Sequence, residues 1–170
     1  MSLSTKWFLG FLAFVALFAV WAVPAFALKG RMETGCTEHL LEASRTISID
    51  TAAIEIDAAT KYLEQNHMTS GFTTIFGENP KEDLGAWYQR LRGLSTMLHA
   101  ASKTDSKAEQ NSTLIVAHNA LIKSNGYLNV PDGINAFPHN TILALLLFVS
   151  FLGMLFCGLN CLLSPTKYNP

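Results

Sequence analysis

The chain has 170 residues, 49% of them hydrophobic, with a formal net charge of −1. That length allows one domain of ordinary size, and 12 basic against 13 acidic residues leave no basic excess of the kind nucleic acid requires. The charge is unevenly placed: residues 29–139 hold all thirteen acids and ten of the basic residues, so the layout is apolar, polar, apolar.

The first apolar run, Trp7 to Leu28, contains no charge, and about 20 such residues cross a bilayer. Two readings compete. A cleaved signal peptide would use Lys6 as its basic start, Trp7 to Val23 as its core and Ala25-Phe26-Ala27 as its cleavage site. A retained anchor explains the length and the bulky Phe and Trp content, and is the reading preferred here: residues 1–28 form a transmembrane signal-anchor. Gly10, Ala13, Ala16 and Val20 make a stripe of mostly small residues on it.

After Gly30 helical spacing begins. Cys36, Leu40, Ala43 and Ile47 form one seam, and Ile49, Ala52, Ile56, Ala59 and Leu63 form another, about a residue out of phase. One long helix with a kink near Ser48 is preferred over two helices capped by Ser48 or Asp50. Asp50, Asp57 and Glu64, seven apart, are placed on its solvent side, with Lys61 a helix partner for Asp57. The loop from Asn66 to Asn79 is unusually apolar. Phe72, Ile75 and Phe76 either cap the core or offer a partner- or lipid-facing surface.

The clearest helix follows. Leu84, Trp87, Leu91, Leu94, Leu98 and Ala101 recur at steps of three and four, so Leu84, Trp87, Leu91, Leu94 and Leu98 are the expected bundle-core contacts. Asn79 is read as its N-cap, Pro80 as its first residue, and Glu82 and Asp83 as first-turn acids. Gly85 and Gly93 weaken a helix, and are expected where another backbone comes close. Ser106-Lys107-Ala108-Glu109 has the form of a capping box for a further helix whose face uses Leu114, Ile115, His118, Leu121 and Ile122. Tyr127 to His139 contains three turn-forming sites and reads as an extended connector.

The second apolar run, Thr141 to Leu163, has Asn140 as a cap and Pro165 as a stop. Ser150, Gly153, Cys157 and Cys161 form a small-residue stripe that lets another helix approach, either the first span or a subunit of a larger complex.

The expected fold is therefore all-α: transmembrane helices at 1–28 and 140–164 flank an extracytoplasmic bundle of three or four helices at 29–139, and 165–170 form a short cytoplasmic tail. Flanking charge is nearly balanced, and the signal-like start places the middle domain outside the cytoplasmic membrane.

No Cys-x-x-Cys, His-Glu-x-x-His or phosphate-loop spacing occurs. His118 lies on an apolar face and is read as a core histidine. His39 and His99 lie on helices and could approach one another, without their spacing defining a site. Cys36 lies on a seam, where a buried thiol is preferred over an intermolecular disulfide. No catalytic, cofactor or metal residue is assigned.

Lys61-Tyr62-Leu63-Glu64-Gln65-Asn66, Thr69-Ser70-Gly71-Phe72-Thr73 and Pro80-Lys81-Glu82-Asp83-Leu84-Gly85-Ala86-Trp87-Tyr88 together resemble a pattern in uncharacterised bacterial envelope proteins. The resemblance covers a small part of the chain. It implies a bacterial envelope protein in which the loop and the helix start form one unit, and it brings no activity. With the topology above, the middle domain is then expected on the periplasmic or external side of the inner membrane.

Two functions are compatible with these features. The preferred one is a non-enzymatic accessory subunit that contacts membrane lipid and other membrane subunits or a second copy, through the small-residue faces and the bundle. The alternative is a binding or sensing module holding a ligand among Trp87, Tyr88, Arg90 and Arg92.

Overall fold

A computed structural model describes residues 3–75 and 77–163, and side chains over 6–160 apart from Trp21 and Phe76. The expected tail at 165–170, the stop at Pro165 and the side chains of Phe76 and Cys161 lie outside the described residues. The described chain is all-helical: α1 (Leu3–Met32), a π turn (Glu33–Thr37), α2 (Glu38–Arg45), α3 (Ile49–Gln65), α4 (Leu84–Ser102), α5 (Lys107–Leu121) and α6 (Asn140–Leu163). These elements belong to two compact units, one formed by Leu28–Pro138 and the other by Met1–Ala27 with His139–Pro170.

In the second of these units, α1 and α6 are each long and apolar enough to cross a membrane. Gly10 of α1 and the small residues of α6 lie where they meet, whereas Ala13, Ala16 and Val20 of the expected α1 stripe are exposed. A Cβ on Gly153 would overlap the Phe14 ring, and one on Gly10 would stand 3.1 Å from the Cys157 sulfur. Ser150 is fully buried, its hydroxyl bonded to the Leu146 carbonyl at 2.6 Å. Trp7 meets Phe156 edge to face. Phe8, Leu12, Val15, Phe148, Phe151 and Leu155 are among the large side chains turned outward.

In the Leu28–Pro138 unit, α1 runs through the π turn into α2 without interruption. The Glu38 N–H bonds to the Glu33 carbonyl, the five-residue step of a π turn, and the Thr37 hydroxyl closes on Met32. The wider turn keeps Met32, Cys36, Leu40 and Ala43 on one buried face. Gly35 lies against the Tyr62 ring, which occupies the space a Cβ would take.

The expectation of one kinked helix over the two seams is wrong. Helix α2 ends at Arg45, Thr46 is extended, and Ser48 caps α3 by accepting from the Thr51 N–H. Such a cap contributes about 1 kcal/mol, and the exit leaves Ile47 94% exposed. An out-of-phase pair of seams is what two packed helices require, because each must turn its own stripe inward.

Helices α3 and α4 form the central pair. Asp57 and Glu64 lie on the solvent side as expected, Asp57 half-exposed and Glu64 exposed, but each is engaged by a side chain of α4. Asp57 accepts from Ser95 Oγ at 2.6 Å and meets His99 Nε2 at 2.7 Å, while Glu64 accepts from the Tyr88 hydroxyl. The acids step seven residues along α3 as their partners Tyr88 and Ser95 step seven along α4, so the two helices stay in register over two turns. Lys61 takes no part in an ion pair with Asp57.

The start of α4 also differs from expectation. Asn79 caps a short 3-10 turn, Pro80–Glu82, and Asp83 caps α4 itself through the Ala86 N–H at 2.9 Å. The two caps follow one another because the chain bends between them to pair Phe72 with Asp83. That pairing brings the Ser70 Cα to 3.5 Å from a Cβ built on Gly85, so Gly85 does meet another backbone. Gly93 faces open space instead.

Helix α5 begins at its Ser106 cap, but its inward face is Leu114, Ala117 and Leu121. Ile115 and His118 are exposed, Ile115 by 61%, because α5 lies across α2 and α4 with only a narrow stripe covered. His118 still reaches the Ser44 carbonyl with Nδ1 at 2.9 Å. The following segment is not a plain connector. Ile122 pairs with Leu128 around a tight turn, Ile134 is buried, and Leu128, Val130 and Phe137 pack on the core.

Candidate functional site

All five expected bundle-core residues, Leu84, Trp87, Leu91, Leu94 and Leu98, are buried. Trp87 does more than fill space. Its indole Nε1–H donates to the Asn129 carbonyl at 2.9 Å, and the Asn129 amide donates to the Ala120 carbonyl. Helix α4 is thereby fastened to the strap of chain that follows α5. A second fastening comes from Thr73, whose hydroxyl donates to the Asp132 carbonyl at 2.5 Å. The apolar loop contributes through this buried threonine and the half-buried Phe72, while Ile75 remains exposed.

Between α4 and the strap lies a cleft of about 580 Å³. Its apolar walls are Pro80, Trp87, Val130 and Pro131, and its charged groups are Lys81, Arg90, Lys123 and Asp132. Among the described residues only the His39–Glu55 and His99–Asp57 pairs reach ion-pair distance, so the four charged side chains of the cleft have no ionic partner there. A volume of this size lies within the range of small-molecule sites. The four residues proposed from sequence to hold a ligand do not converge. Trp87 and Arg90 line the cleft, whereas Tyr88 turns to Glu64 on the α3 side.

The polar seam invites comparison with a catalytic triad, and its geometry answers the comparison. In a relay, a histidine must meet the nucleophilic hydroxyl. Here Ser95 and His99 both meet the Asp57 carboxylate, so the carboxylate is the hub and no base contacts the serine. Burial would raise the Asp57 pKa, but the bonds from Ser95 and His99 and the charge of His99 outweigh it and hold the carboxyl below its ordinary value. Tyr88 shifts the other way, raised by its hydrogen bond to Glu64 and by burial. These are features of a structural seam. His39 meets Glu55 at 2.6 Å, so the two helix histidines are held by different acids.

Among the described residues no three His, Cys, Asp or Glu side chains are grouped to hold a metal ion. Cys36 is fully buried. In the other unit, Gly153 and Cys157 face α1, Ser150 is buried, and Cys161 lies outside the described side chains.

Sequence reasoning missed Lys81, Lys123, Asn129 and Asp132. Lys123 and Asp132 are remote from α4 in the chain and reach the cleft only through the turn at 122–128. Arg90 follows Trp87 by three residues, so its place beside Trp87 was readable as a helix neighbour.

No protein-family model, curated protein or solved structure matches the chain.

Proposed function

We propose that this protein is a non-enzymatic accessory subunit of a bacterial inner-membrane complex, anchored by α1 and α6, with its helical bundle on the periplasmic or external side. The carrying observation is the sidedness of the two apolar helices. Ser150, Gly153 and Cys157 of α6 and Gly10 of α1 are turned inward between them, and both helices expose a shell of Phe, Leu and Val outward. In water such a shell is a severe liability; in lipid it is the stable arrangement. Helix α6 has 24 residues, about 36 Å at 1.5 Å per residue, enough for a hydrocarbon core of about 30 Å.

With Gly10, Gly153 and Cys157 engaged inside the chain, partner contacts fall to the outward helix faces and the bundle surface. Those partners are other membrane subunits or a second copy, beside the lipid itself. Cross-linking in native membranes, followed by purification in mild detergent and mass spectrometry, tests this. Stoichiometric cross-linked subunits are the expected result, and a clean monomer overturns the reading.

A second reading, a binding module, is favoured by one specific feature: the cleft between α4 and the strap, with its three unpaired cations.

A further inference from the structure

We propose that the cleft beside Trp87 is a binding site for a phosphate monoester, its phosphate held by Arg90, Lys81 and Lys123 and a hydroxyl or amino group of the ligand held by Asp132. The inference rests on the binding-module reading and is independent of the accessory-subunit reading.

Three observations carry it. First, the cations come from three separate elements: Lys81 from the 3-10 turn, Arg90 from α4, Lys123 from the turn after α5. Scattered solvated lysines do not require convergence, yet these three border one concavity of about 580 Å³. Second, none of the three side chains makes an ion pair or hydrogen bond among the described residues. Unpaired like charges brought together repel, and an anion between them reverses the sign of that interaction. Third, the walls are fixed. Trp87 is 4% exposed and tied to Asn129, and Pro131 is buried, so the concavity is preformed rather than assembled on binding.

The charge count selects the ligand. Three cations and one carboxylate leave an excess of two positive charges, which a phosphate monoester matches at its charge of about −1.5 to −2. Arg90 supplies the planar fork suited to phosphate oxygens, and the lysines add point charges. Asp132 repels the phosphate and accepts from a donor elsewhere on the ligand, which disfavours inorganic phosphate relative to a phosphate ester carrying a hydroxyl. A soluble ester and a lipid headgroup share this chemistry.

The test uses the full chain, first in neutral detergent and then in phosphatidylcholine nanodiscs with and without phosphatidic acid. Calorimetric titration with glycerol phosphate and with inorganic phosphate is the readout. Saturable binding that prefers glycerol phosphate, weakens about tenfold in Arg90→Gln and in Lys123→Gln, and loses that preference in Asp132→Asn is the expected result. Glycerol phosphate binding that is abolished by phosphatidic acid in the nanodisc supports the cleft and identifies the headgroup as its ligand. Absence of saturable binding by the wild type, or equal binding by wild type and by a variant lacking all three cations, overturns the proposal. All four side chains are exposed, and melting temperatures matching wild type confirm folding. Lys123→Gln lies outside the helices, so it remains informative should Arg90→Gln alter α4. Loss of phosphate binding with partners still cross-linked removes the ligand site alone, and the converse result removes the accessory role alone.

Discussion

Replacing Trp87 by alanine removes the largest side chain of the α4 seam together with the hydrogen bond that fastens α4 to the strap. The indole is 4% exposed, and truncating a buried tryptophan costs about 3–5 kcal/mol through lost burial and the cavity left behind. The bond from Nε1 to the Asn129 carbonyl falls within this figure, and by itself contributes about 1 kcal/mol. A domain's whole stability is about 5–15 kcal/mol, so Trp87→Ala leaves the Leu28–Pro138 unit marginal. At roughly 4 °C per kcal/mol for a unit of this size, its thermal transition should fall by about 12–20 °C. Trp87→Phe keeps most of the ring volume and removes the donor, and should fall by about 4–8 °C on the same scale. The assay is scanning calorimetry of the full chain in detergent, with the transition assigned by circular dichroism. A shift under about 4 °C for Trp87→Ala would refute the view that this residue anchors the bundle.

Three further outcomes follow from particular contacts. Gly35→Ala drives a methyl group into the Tyr62 ring and should cost about 1–3 kcal/mol, whereas Gly93→Ala meets open space and should stabilise by up to about 1 kcal/mol; chemical denaturation reads both. Asp57 has its folded-state pKa lowered, so its contribution is present above the ordinary carboxylate value and is lost as pH falls through the lower folded value. Stability curves below about pH 4 should therefore flatten in Asp57→Asn, and an unchanged acid limb would contradict the role given to His99 and Ser95. Cys36 is 0% exposed, so in a chain with Cys157 and Cys161 replaced by serine maleimide should label it only after unfolding, and rapid labelling of that native chain would contradict its burial.

The legible parts of this fold were those decided by one helix at a time. The three-and-four spacing from Leu84 to Leu98 and the Ser106 cap needed no neighbour to be read. The break at Thr46–Ser48 was harder, because continuous helical spacing on both sides hides an exit of three residues. The α4 partners of the solvent-side acids Asp57 and Glu64 were hidden for a different reason. A heptad of acids is equally consistent with solvent and with a facing helix until Tyr88 and Ser95 are set in register opposite them. Ile115 joined the expected face of α5 because periodicity marks an apolar stripe wider than the one α2 and α4 cover. Least legible was the cleft. Lys123, Asn129 and Asp132 reach α4 through a tight turn and backbone carbonyls bonded to Trp87 and Thr73, and neither leaves a spacing pattern in the sequence.

The membrane-anchored arrangement is tested most directly by labelling from outside the cytoplasmic membrane. Ile47 is 94% exposed in the bundle, so Ile47→Cys offers an accessible thiol, and Lys167→Cys offers one beyond α6. In spheroplasts an impermeant maleimide should label Ile47→Cys at once and Lys167→Cys only after lysis, with the chain retained in the membrane through an alkaline wash. Release by that wash, or labelling of Lys167→Cys from outside while Ile47→Cys stays protected, would contradict the account.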